Sequence, residues 1–155
     1  MKKLKLYLET SVWNFLFADD SPEKVDITKQ FFGEIEKGGY EIYISELTLV
    51  EVKRTKDERK RGQLLEPIIK YRPIEVPRSE EVNRLAARYI SAKIIPEKYE
   101  EDAVHVACSV VNNLDVIVSR NMKHIVRLKT KLGVNGINRM EGYKEIEICT
   151  PEEMI

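Results

Sequence analysis

The run Asp115-Val116-Ile117-Val118-Ser119 constrains this chain most. Three consecutive β-branched residues favour a strand, and the lack of alternation means that both strand faces must be covered. Such strands belong to parallel sheets, whose successive strands are joined through helices. The rest of the sequence supplies that pattern. Leu4-Lys5-Leu6-Tyr7-Leu8 alternates apolar with polar or amphipathic residues and reads as a first strand, followed by an apolar, aromatic stretch around Trp13 and Phe17. A helix follows the Asp19-Asp20-Ser21-Pro22 turn, with Ile27, Phe31, Phe32 and Ile35 at helical spacing and Gly38-Gly39 as its stop. Glu41-Ile42-Tyr43-Ile44 is a second strand, and Ser45 caps a helix carrying Leu47 and Val50.

The charged stretch from Lys53 through Gly62 leads to a short helix ending near Tyr71. Ile74-Glu75-Val76, bracketed by Pro73 and Pro77, is a short strand at or near a sheet edge. Ser79 caps a helix whose Val82, Leu85, Ala86, Tyr89 and Ile90 make one apolar face. A long helix after Pro96 buries Ala103, Val106, Ala107, Val110 and Val111. A basic helix from about Lys123 and a strand near Ile146 to Cys149 follow, and Thr150-Pro151-Glu152-Glu153 closes with an N-cap, a Pro at N1 and an acid at N3. Strands alternating with helices predict an α/β fold: a mostly parallel sheet with helices on both faces, one domain over residues 1–155.

Composition serves mainly to exclude. An apolar share of 43% and a charged share of 34% suit a globular chain better than disorder. No apolar run approaches the roughly 18 residues of a membrane helix. The basic start Met1-Lys2-Lys3-Leu4 is soon interrupted by Glu9, so no signal peptide is expected. Cys108 and Cys149 have no metal-ligand spacing; Cys108 reads as a buried free thiol, and a reducing cytoplasm is expected. Lys plus Arg equals Asp plus Glu at 26 each, so any polyanion site must come from local charge placement.

In parallel α/β sheets ligands bind beyond the carboxyl ends of the strands. Glu9 directly follows the first strand, beside the hydroxyls of Thr10 and Ser11. Glu51 lies four residues after Leu47 on the inward-leaning side of its helix, where a carboxylate is costly unless paired or bound to a cation. Glu46, in the first turn after Ser45, complements the helix dipole and is assigned a structural role. Asp102 opens the apolar helix from Ala103 to Val111, with Glu101 about 100° away around the axis. Ser119-Arg120-Asn121 ends the strongest strand and brings Asn121 to the same edge as Glu9. Oxygen donors without a Cys/His cluster point to Mg²⁺ or Mn²⁺.

At these positions the sequence resembles the PIN-domain family, and within it the prokaryotic VapC-type toxins. The resemblance rests on Leu6-Tyr7-Leu8-Glu9-Thr10-Ser11-Val12, Ile44-Ser45 with Val50-Glu51-Val52, Asp102-Ala103-Val104-His105-Val106-Ala107, and Ile117-Val118-Ser119-Arg120-Asn121. It implies a three-layer α/β/α sandwich that cleaves RNA with Mg²⁺ or Mn²⁺ held by a cluster of acids. Carried over by position, those acids are Glu9, Glu51 and Asp102, with Asn121 at the fourth position and Glu101 as an auxiliary acid. Two departures stand out: Glu9 replaces the usual aspartate, and Asn121 is uncharged. Thr10, Ser119 and Arg120 would position substrate. The resemblance also implies a homodimer and a separate antitoxin chain as partner.

The expected chemistry is metal-assisted phosphodiester hydrolysis, with no nucleophilic side chain. RNA contact is expected from Lys53, Arg54, Lys56, Arg59, Lys60 and Arg61 after Glu51, and from Arg120, Lys123, His124 and Arg127 around Asn121. His105 reads as a hydrogen-bonded helix histidine. The main rival is a non-catalytic PIN-like module that binds RNA or protein. A Rossmann-like nucleotide binder ranks below it, because Val12 and Trp13 stand where a glycine-rich phosphate loop would be needed.

Overall fold

Strand side chains are sorted between two buried faces with period two. From β1 (Leu4–Leu8), β2 (Tyr40–Ser45) and β4 (Val116–Val118), the residues Leu6, Leu8, Ile42, Ile44, Val116 and Val118 enter one apolar cluster. Tyr7, Tyr43 and Ile117, pointing the opposite way, enter the other. The apparent polar alternation of β1 therefore hides a second buried face, on which Tyr7 is fully enclosed.

The computed structural model describes residues 2–155, and Met1 of the basic start lies outside them. With β3 (Ile74–Val76) and β5 (Glu147–Cys149), the strands form a sheet in the order β3-β2-β1-β4-β5. Every neighbouring pair is parallel. The short β3 takes an edge, where the absent N–H groups of the flanking Pro73 and Pro77 do least harm.

Helices α1 (Thr10–Asn14), α2 (Pro22–Glu36) and α4 (Glu58–Tyr71) cover one face, supplying Trp13, Phe31, Phe32, Leu64 and Ile68. Helices α5 (Glu80–Ser91), α6 (Glu100–Val111) and α7 (Leu128–Met140) cover the other. Helix α3 (Glu46–Lys53) gives Leu47 to one cluster and Val52 to the other, so it straddles the two layers. The result is the three-layer α/β/α sandwich expected from the sequence.

Helix starts follow their caps. Ser45 forms a capping box with Thr48, and the Ser79 hydroxyl accepts from the Val82 N–H at 3.2 Å. Asp57 accepts from the N–H groups of Arg59 and Lys60, so much of the charged stretch is already helix α4. Thr150 and Glu153 form the expected box on the closing 3₁₀ turn, Pro151–Met154. Two expectations need correction. Val50 is 44% exposed, because Leu47, Thr48 and Val52 take the inward positions of α3. Helix α7 starts at Leu128 and not near Lys123: the Asn121 carbonyl accepts from both Ile125 and Val126, closing a turn that buries those two side chains.

Candidate metal centre

The chain runs outward from β1 through β2 to β3, then returns to β4 on the other side of β1. The carboxyl ends of β1 and β4 thus flank a topological switch point, where the two outgoing connections diverge and leave a crevice. Glu9 and Ser119 occupy those two ends. The Glu9 N–H continues the ladder to the Val118 carbonyl at 3.0 Å, and its side chain is only 5% exposed.

Burying that carboxylate requires donors. Glu9 Oε2 accepts from the Ser11 N–H at 3.1 Å, as the N-cap of α1. Its Oε1 accepts from Ser11 Oγ at 2.5 Å and Ser119 Oγ at 2.6 Å. The side chain that caps α1 is thus also bonded to the end of β4.

Glu51 reaches the same crevice from the last turn of α3. Its Oε1 accepts from Thr10 Oγ1 at 2.5 Å and from His105 Nε2 at 2.5 Å. Since Nε2 faces a carboxylate oxygen, the proton lies on that nitrogen. His105 Nδ1 lies 2.6 Å from Tyr7 Oη, which lies 2.8 Å from Ser45 Oγ. Ser45, Tyr7 and His105 are fully buried, so a chain of polar contacts crosses the apolar layer to fix Glu51. Burial opposes ionisation of Glu51, but the bonds from His105 and Thr10 outweigh it and hold the carboxyl below its usual range. Burial likewise opposes the imidazolium, yet contact with Glu51 and the charges of Glu9 and Asp102 raise the His105 pKa.

Asp102 lies in the first turn of α6, three residues before His105. Burial, and then the charge of Glu9, push its carboxyl up to about 6, while the Asn121 side chain and His105 partly offset them. The carboxylates thus repel one another across the crevice. A hard divalent cation would relieve that repulsion, and the oxygen donors of Glu9, Glu51 and Asp102 suit one. Glu9, Glu51 and His105 each offer a ligand atom within 4.8 Å of the others. Both ring nitrogens of His105 are engaged, however, so the histidine is better placed to orient Glu51 than to ligate.

The fold brings two bonded groups together, Glu9 with Ser119 and Glu51 with Thr10, with Asp102 and Asn121 electrostatically coupled to them. Asn121 also caps its own turn, its Oδ1 accepting from the His124 N–H at 3.0 Å. Two expected participants are engaged with other partners. Glu101 is paired with Arg54 at 2.8 Å, beside Glu51. Arg120 meets the site only through its N–H, which donates to Ser11 Oγ at 2.8 Å. Its guanidinium is buried away from the crevice, bonded to Thr28 Oγ1 at 2.9 Å, the Lys24 carbonyl at 3.1 Å and Glu152 at 3.0 Å. Sequence reasoning kept His105 out of the site, although its three-residue spacing from Asp102 on one helix face was a usable signal. Nothing in the strand pattern marked Tyr7 as its support.

No family model matches this chain, and no curated protein matches it in sequence. Among solved structures, the chain is similar to one of VapBC2 from Rickettsia felis bound to a DNA fragment from their promoter. The TM-score is 0.58 at 13% sequence identity, over 95% of this chain and 98% of that one. A likeness at that identity establishes the shared PIN-like fold and nothing finer.

Proposed function

We propose that this protein is a metal-dependent ribonuclease that hydrolyses RNA phosphodiester bonds, serving as the toxin of a type II toxin–antitoxin pair. The observation that carries the reading is the convergence of Glu9 and Glu51, with Asp102 beside them, on the β1–β4 switch point of a PIN-like sheet. Glu9, Glu51 and Asp102 would hold Mg²⁺ or Mn²⁺. When bound, such an ion lowers the pKa of a coordinated water and stabilises charge growing on the phosphate.

The chain's own residues supply the preorganisation. Ser11 and Ser119 fix Glu9, while Thr10 and His105 fix Glu51, so the oxygen donors need little rearrangement. The amide of Asn121 orients a phosphate oxygen. His105 presents its proton to Glu51 and is a positioning residue, not the general base. In this reading the protein is cytoplasmic, forms a homodimer and is silenced by a separate antitoxin chain. Replacing Asp102 with Asn should abolish Mn²⁺-dependent cleavage of a mixed RNA pool while leaving the circular dichroism spectrum unchanged. A fully active, folded Asp102→Asn protein sinks the proposal.

One observation favours a second reading, a non-catalytic RNA- or protein-binding module: Asn121 is uncharged and its Oδ1 is occupied by the turn it caps. Mn²⁺ titration followed by the same cleavage assay separates the two. RNA binding without metal uptake or cleavage selects the module.

A further inference from the structure

A groove of about 560 Å³ lies between the end of α5, the segment leading to α6, and the turn before α7. Its floor is apolar, from Ile90, Ile94 and Ile95, and its rim carries Lys93, Arg127 and Lys129 against the single acid Glu97. Lys98 and Lys123 stand next to rim residues in sequence. None of these five cations is in an ion pair among the described residues, and Glu97 is the one acid in the groove lining. In a chain with no net charge, this is the local concentration of positive charge that a polyanion requires.

Two details point to use rather than accident. Lys93 has φ 60, a left-handed conformation at the end of α5 that glycine would adopt without strain. A lysine held there costs stability, and the cost is explained if its charge is needed. His124 lines the groove and stacks on Tyr99 at 3.9 Å between centroids, with neither ring nitrogen hydrogen-bonded. The stack also fixes the groove relative to the acids. Tyr99 is three residues before Asp102, and His124 is tied by its N–H to Asn121 Oδ1 at 3.0 Å. The His124 wall of the groove is therefore tied to the same turn as Asn121 of the candidate metal centre.

We infer that this groove holds single-stranded RNA flanking the scissile phosphate, with Lys93, Arg127 and Lys129 on the backbone and the apolar floor receiving an unstacked base. The inference rests on the ribonuclease reading for its scissile phosphate. A stacked duplex has no free base to offer the floor, which is why a single strand is favoured. A volume within the roughly 300–1,000 Å³ typical of small-ligand sites accommodates a nucleotide.

The test uses the Asp102→Asn protein in EDTA, so that binding is read without cleavage, and a short, labelled, mixed-sequence single-stranded RNA. Adding Lys93→Gln, Arg127→Gln and Lys129→Gln should weaken binding about tenfold or more at low salt, and lower the slope of log K against log salt by about 2. Lys93→Gly alone should raise Tm yet weaken binding, a combination that a merely structural residue would not give. Unchanged affinity in the triple variant overturns the inference, as does equal affinity for duplex RNA. Displacement of RNA by an acidic peptide at equal charge concentration also overturns it, in favour of a protein partner. The two readings fail separately. A groove that loses RNA on substitution stands as a single-strand binding surface even if the parent protein never cleaves, in which case only its relation to a scissile phosphate falls. Cleavage unaffected by the triple substitution overturns the groove and leaves the nuclease intact.

Discussion

Asp102 occupies the first turn of α6, where a carboxylate is ordinarily favoured by the helix dipole. Its carboxyl is nevertheless pushed up to about 6, by burial and by Glu9. The folded value lies above the unfolded one, about 3.9, so protonation favours the fold. That contribution is complete below about pH 4 and is lost as pH rises through about 6. In EDTA, Asp102→Asn should therefore melt higher than the parent at about pH 8, and the gap should close towards about pH 4. Mn²⁺ should raise the parent's Tm at the higher pH and leave the variant's nearly unmoved. Thermal melts with and without metal check both; a pH-independent gap contradicts the carboxyl's assignment. At this scale the candidate acids were legible, because a carboxylate on an apolar helix face is conspicuous. The Ser45–Tyr7–His105 support was not, because it is made from residues far apart in sequence.

At the scale of elements, the Ser79 cap and clear periodicity made α5 readable and apolar periodicity made α6 readable; Ser79→Ala should cost about 1 kcal/mol through loss of the Val82 N–H partner. Denaturant unfolding measures it. The boundary of α7 was misjudged because basic residues from Lys123 suit a helix by propensity, while the Asn121 turn overrides it. Helix α7 also makes a close approach that no periodicity announces. A Cβ on Gly133 would stand 2.7 Å from Ile94 Cγ1, with Cδ1 at 3.0 Å and Cγ2 at 3.1 Å. Both branches of the Ile94 side chain face that position, so a change of rotamer still leaves one of them there. Gly133→Ala should destabilise by about 1–3 kcal/mol, and Ile94→Ala in the same protein should recover part of the loss. Additive losses in the double variant would show that the two positions do not clash.

At the scale of the whole molecule, Arg120 links distant parts of the chain. Its guanidinium joins the α2 residues Lys24 and Thr28 to Glu152 in the closing turn, and lies 5.3 Å from the Phe15 ring centroid. Replacing it with Ala removes the buried guanidinium's bonds to Thr28, Lys24 and Glu152 and its packing on Phe15, at a cost on the order of 2–3 kcal/mol. Binding of single-stranded RNA by the folded variant should stay near the parent's. Unfolding curves and anisotropy titrations test the two halves, and a large loss of RNA affinity without loss of stability would return Arg120 to the substrate side. Across the molecule, the site also draws on β1, α1, α3, α6 and β4 together, so its integrity tracks the global fold.

The sequence by itself determined the layers, the parallel sheet and most helix starts, and it singled out Glu9, Glu51 and Asp102 as candidates. Those features are set by short-range rules: periodicity, capping and the cost of a charge on an apolar face. Only the tertiary structure decided that Glu101 pairs with Arg54, that Arg120 turns inward, and that His105 braces Glu51. Each of those outcomes depends on which partner lies within hydrogen-bond reach across elements. Such reach is fixed by packing, and spacing along the chain does not encode it.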